Sequence, residues 1–103
     1  MEKVKETELV IQEKLSIMIE LLMTITNCEY SDAYRVIAAS KTYRYLKAYD
    51  YSALHDSPQA NLCDIGKELR SQNHRLGQVI TENNIKKAIL KLREINLTHR
   101  KNQ

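Results

Sequence analysis

An all-α fold, a compact bundle of four or five helices with a long N-terminal helix, is what this sequence predicts. Three observations carry the prediction. The 103 residues include only two glycines and one proline, too few turn-formers for several β-hairpins. Apolar residues over 4–26 recur at helical steps, and helix-starting residues punctuate the rest. Phe and Trp are absent, so Tyr, Leu, Ile, Val and Met must build the core. A chain of 12.0 kDa has room for one core. The expected layout is a single domain over 1–103, with the core bundle in 1–76 and a basic helix and frayed tail in 77–103.

The first helix is read over residues 4–26. Val4, Ile11, Leu15, Met18, Leu22 and Ile25 form a seam at steps of seven, four, three, four and three, the spacing of a coiled coil. Leu9, Val10, Ile17, Ile19, Leu21 and Met23 widen the apolar surface beyond one stripe. A helix apolar around most of its girth is buried from several sides, which makes the second half of this helix, beyond residue 15, the spine of the bundle or part of a dimer interface. Asn27 is the expected stop, because Asn tolerates the left-handed conformation that ends helices.

Ser31 is the expected N-cap of a second helix, with Ala33, Val36 and Ile37, together with Tyr34, on its apolar face. Ser40 caps a third segment, KTYRYLKAYDYSAL, lined by Tyr43, Leu46, Tyr49 or Tyr51, and Leu54. Ser57 followed by Pro58 is the clearest start signal, since proline's missing N–H has no partner at that position anyway. Leu62, Ile65 and Leu69 continue that helix into the polar run at 70–77, where Gly77 closes it or opens a linker. Thr81 caps a last helix with Ile85, Ala88, Ile89, Leu92 and Ile95 on one face.

Charge is unevenly spread. Residues 1–66 hold 7 Lys/Arg against 10 Asp/Glu, a net of −3, and residues 67–103 hold 9 against 3, a net of +6. An acidic body with a basic tail suits a nucleic acid, an acidic partner or head-to-tail self-contact. The most apolar stretch is interrupted by Glu13, Lys14 and Glu20, so no membrane span is expected. The first residues, MEKVKETE, lack a signal-peptide layout. Cys28 and Cys63 form no CxxC pair and are expected as reduced thiols in the cytoplasm.

No phosphate-binding glycine loop, zinc motif or calcium loop is present, and no cofactor or metal is expected. Cys63 with His55 lacks the orienting group that nucleophilic catalysis needs. All six tyrosines fall within 30–51. There Tyr43, Arg44, Tyr45, Lys47 and Tyr49 interleave rings with cations. Three readings of that segment stay open: core, a protein-binding face, or a surface that stacks bases and holds phosphates. A helix-turn-helix over 31–49 is a further reading, although its turn lacks the usual glycine. Lys86, Lys87, Lys91 and Arg93 are the other candidates for contacting nucleic acid.

At YSALHDSP the chain resembles a small bacterial helical family of unknown function. Tyr51, Leu54 and His55, followed by a polar stretch and Asp64–Ile65, are similar to that family's Tyr-x-x-Leu-His turn and the acidic-Ile pair after it. Ser31, Ala33, Tyr43 and Leu46 are similar in layout, and the likeness spans about residues 8–70. Pro58 and the basic helix beyond residue 77 depart from the pattern. Members of the family are often encoded beside ADP-ribosyltransferase-like toxins. The resemblance implies a helical accessory or antitoxin-like protein, not an enzyme, whose partner is a toxin or larger subunit. It brings no catalytic residues. Independently of it, the long first helix and the basic final helix are candidates for self-association, with a homodimer through the first helix expected. The corner of Tyr51, Leu54, His55 and Pro58 is read as structural, with Tyr51 and Leu54 packing one helix end against the next.

Overall fold

The computed structural model describes the backbone of residues 2–101 and the side chains of residues 4–97. Within them the chain is all-helical, led by a helix of 25 residues, α1 (Glu2–Thr26). Asn27 ends it with φ 58°, and its N–H bonds the carbonyl of Met23 at 2.7 Å. The left-handed stop expected at this residue is present. Helix α2 (Tyr30–Ala38) starts earlier than the sequence predicts. Its N-cap is Glu29, with no side-chain bond, and Ser31 falls in the first turn; Tyr34, expected on the apolar face, is exposed. Two linker residues after Asn27 suffice to re-enter the helix, and the Glu29 carbonyl accepts from Asp32 and Ala33.

Ser40 caps α3 (Lys41–Lys47) by accepting from the Tyr43 N–H. The third predicted segment then breaks in two. Tyr49 adopts φ 60°, and Asp50 caps a separate short helix, α4 (Tyr51–His55), accepting from Ala53. An Asp next to a residue driven left-handed offers the backbone a better acceptor than continued helix would. Ser57 and Pro58 open α5 (Pro58–Ser71) as predicted, the hydroxyl accepting from Ala60. A 3₁₀ turn (Arg75–Gln78) follows, and Thr81 caps α6 (Glu82–Lys101) through the Asn84 N–H at 3.2 Å.

The core confirms α1 as the spine. Ile11, Met18, Ile19, Leu21 and Leu22 are buried, joined by Ala33, Ile37, Leu46, Leu62, Ile65, Ile80, Ile85 and Ala88. Each large aliphatic chain buried in this way contributes about 1.5–3 kcal/mol. The seam fails at its start, where Val4 is exposed, and Leu9 and Val10 beside it are exposed as well, because the packed body covers α1 only from Ile11 onward. The far end of α6 behaves alike: Leu92 still packs against the core, whereas Ile95 is exposed.

Two glycines let α5 and the 3₁₀ segment touch. A Cβ on Gly66 would fall inside the van der Waals shell of the Ile80 carbonyl oxygen, and one on Gly77 would lie 2.5 Å from the Arg70 nitrogen. Arg70 secures the contact by donating from one Nη1 to the carbonyls of Gly77 (2.7 Å) and Ile80 (3.0 Å). Among the described residues no helix is long and apolar enough to cross a membrane.

Candidate partner-binding surface

The break at Tyr49 shapes this surface. Its left-handed backbone turns α3 into α4 and leaves three rings around the bend, with Tyr45 55%, Tyr49 38% and Tyr51 74% exposed. Arg44 and Lys47 are exposed beside them, whereas Tyr43 is half-buried against the core. Of the five residues expected at a partner face, four therefore reach solvent and Tyr43 packs inward.

Two of these residues are held by α1. The Tyr49 hydroxyl donates to Glu8 at 2.7 Å, and Lys47 pairs with the same carboxylate at 3.5 Å. The hydrogen bond from Tyr49, with the Lys47 charge, holds the Glu8 carboxyl below its ordinary 4.5, and the same bond raises Tyr49 above 10.0. Because the folded pKa of Glu8 is the lower one, its contribution is complete above pH 4.5 and is lost as pH falls through the folded value. The Tyr49 ring resonances are expected to shift in that acid range in the native protein and to stay fixed in Glu8→Gln, measured by NMR titration.

The corner at residues 51–58 is not built around the ring expected to build it. Tyr51 does not pack into the helix junction; it lies in solvent, stacked on His55 with ring centroids 3.8 Å apart. Two helical residues four apart share a face, which brings these rings together. His55 Nδ1 lies 2.9 Å from the Tyr51 carbonyl; that oxygen only accepts, so Nδ1 carries the proton. Leu54 packs against the core, and Pro58 is half-buried at the start of α5. Cys63 packs against the core, and no hydrogen bond joins it to His55 among the described residues.

What closes the corner is Lys14, which the sequence shows only as a charge interrupting an apolar helix. It is 6% exposed, and its ammonium donates to the carbonyls of Ala53 and Asp56 and to Asn61 Oδ1. Asn61 Nδ2 donates to Ala53 O as well. Burial lowers the Lys14 pKa from 10.5, opposed by the charge of Asp56.

The helix-turn-helix reading meets an obstacle in α3. The Glu68 carboxylate accepts from the Lys41 and Thr42 N–H groups and from the Thr42 hydroxyl, at 2.7, 3.1 and 2.5 Å. An acidic side chain thus occupies the helix start where a phosphate would lie. The cations of the last helix are freely placed: Lys86, Lys87, Lys91 and Arg93 are all exposed on α6.

A groove of about 870 Å³ opens between the end of α1, α2 and the 3₁₀ turn, with Ile25, Val36 and Leu76 among its lining and Arg35, His74 and Arg75 contributing polar groups. His74 Nδ1 accepts from the Leu76 N–H at 3.1 Å, which leaves the proton on Nε2. No group of three or more His, Cys, Asp or Glu side chains suited to a metal occurs among the described residues. Comparison with protein-family models, curated proteins and solved structures finds no match for this chain.

Proposed function

We propose that this chain is a small cytoplasmic protein-interaction module, antitoxin-like or an accessory subunit, that acts by binding a protein partner such as a toxin or larger subunit. The observation that carries the reading is the cluster of exposed rings at the α3–α4 bend, Tyr45, Tyr49 and Tyr51, with Arg44 and Lys47 beside them. Tyr and Arg supply large contact area at small cost in side-chain entropy and dominate binding hot spots. Glu8 fixes the middle ring before any partner arrives. Nothing in this role calls for catalysis or a cofactor.

Affinity purification from the native host tests the proposal, with a Tyr45→Ala/Tyr51→Ala variant beside the native chain. Both rings are exposed, so stability is expected to change by no more than about 0.5 kcal/mol per site. Capture of a stoichiometric protein is expected to fall roughly thirtyfold, as for loss of a hot spot. Undiminished capture by the variant would sink the tyrosine surface.

A second reading, nucleic-acid binding, is favoured by the four exposed cations of α6. It predicts affinity that falls steeply with salt through counterion release. A flat salt response, or no binding at low salt, removes it.

A further inference from the structure

Two helix faces of opposite charge lie open to solvent. On the first half of α1, Glu6, Leu9, Val10 and Glu13 are exposed. Steps of three, one and three put them on one side of the helix, away from the buried Ile11, Met18 and Leu22. On α6 the exposed residues Lys86, Leu90, Arg93 and Leu97 recur at steps of four, three and four, again on one side. The two leucines there are 57% and 58% exposed. Both faces carry a seven-residue repeat, Glu6 with Glu13 on one, Lys86 with Arg93 and Leu90 with Leu97 on the other. That is the repeat by which two helices pair, with flanking charges choosing the partner.

The two faces do not meet within one chain. α1 and α6 of one copy pack together, and the residues that line a shared hollow are Thr24 and Ile25 with Asn84, Lys87 and Ala88. That places the start of α6 at the end of α1, leaving the acidic face free. Glu6, Glu13 and Arg93 have no intrachain partner among the described residues, and Lys86 has an exposed pair with Glu82 at 3.4 Å, which holds it weakly. A helix that only tracked phosphates would have no use for two leucines in register with its cations.

We infer that the stretch of α6 from Lys86 to Leu97 packs on the N-terminal half of α1 of a second copy of this chain. Lys86 and Arg93 face Glu6 and Glu13, and Leu90, which lies between the two cations, packs against Leu9 and Val10. A reciprocal exchange, each α6 on the other copy's α1, closes a two-fold dimer and makes the contact twice. The inference rests on the reading of the protein as an interaction module, and it names one partner of that module at a face separate from the tyrosines.

Charge reversal tests it, read as molecular mass by light scattering up to high micromolar concentration. The native chain is expected at twice the 12.0 kDa of one copy, with association weakening at high salt. Glu6→Lys/Glu13→Lys makes both faces basic, and Lys86→Glu/Arg93→Glu makes both acidic. Each variant alone is expected to associate about a hundredfold more weakly or worse, since like charges then oppose. An equal mixture of the two is expected to restore the dimer, because each reversed face then meets its complement. All four side chains are exposed, and far-UV circular dichroism checks that each variant remains helical. A native monomer, dimers that persist in both variants, or a mixture that stays monomeric would each overturn the inference. The monomeric variants also separate the two readings: partner capture that survives in them and still depends on Tyr45 leaves the tyrosine surface standing whatever the dimer does.

Discussion

Replacing Gly66 by Ala is expected to destabilise the protein by about 3 kcal/mol, against the usual sign for such a change. In an ordinary helix interior Gly→Ala gains about 1 kcal/mol, because alanine restricts the unfolded chain and favours helix. Here the added methyl meets the Ile80 carbonyl oxygen first and Ile80 Cγ2 at 3.0 Å next. The first obstacle is backbone, so no rotamer change relieves it. Moving Ile80 away would also stretch its bond from Arg70 and open the core around a fully buried isoleucine. Thermal unfolding is expected roughly 10–20 °C lower, from the entropy of unfolding of a domain this size. A stabilised Gly66→Ala variant would mean that α5 and the segment after the 3₁₀ turn do not approach closely.

Lys14→Met is the second large effect, expected to cost about 2–4 kcal/mol. Methionine keeps the apolar stem but deprives Ala53 O, Asp56 O and Asn61 Oδ1 of a charged donor. Those acceptors are sequestered between α1 and the α4–α5 corner, where a lost donor costs more than the bond contributed. The pH dependence has a definite sign. The folded pKa of Lys14 lies below 10.5, so the folded state gives up its proton first, and the unfolded state binds more protons in the window just under 10.5. The contribution of Lys14 to stability therefore rises with pH there. Urea titrations of the native chain and of Lys14→Met should show their difference growing as pH approaches 10.5. A difference independent of pH would mean that Lys14 is solvated.

The helix boundaries that were legible in the sequence are those written in side chains next to the backbone they serve. Asn27, Ser40, Ser57–Pro58 and Thr81 each act within a few residues, and each does what its chemistry predicts. Ser31 misled because the chain re-enters the helix two residues after Asn27, with Glu29 at the N-cap position and no side-chain bond to mark it. The break at Tyr49 had a readable cue in Asp50, but tyrosine at positive φ is uncommon and tertiary packing decides it. Lys14 could not be assigned from one sequence. A lysine among apolar residues reads as solvent-facing, and its three acceptors are distant in the chain. Gly66 and Gly77 likewise look like punctuation until α5 and the 3₁₀ turn are brought side by side. Of the candidate surface, the clustering of tyrosine with Arg and Lys was visible. Which rings point inward depends on the split between α3 and α4, and that follows from Tyr49.

The ammonium of Lys14 also decides how the tyrosine bend behaves in time. Helix α4 has five residues, far too few to persist alone, and it is tied through Ala53 and Asp56 to a side chain rooted in the spine. Glu8 makes a second tie from the same helix, to Tyr49. The bend is therefore coupled to α1, and its amides should exchange hydrogen more slowly than those of an untied five-residue helix. If the proposed function holds, a partner would meet rings already arranged, and docking would avoid the ordering cost of a segment that folds as it binds. Encounter would then be limited by diffusion and orientation rather than by a slow rearrangement.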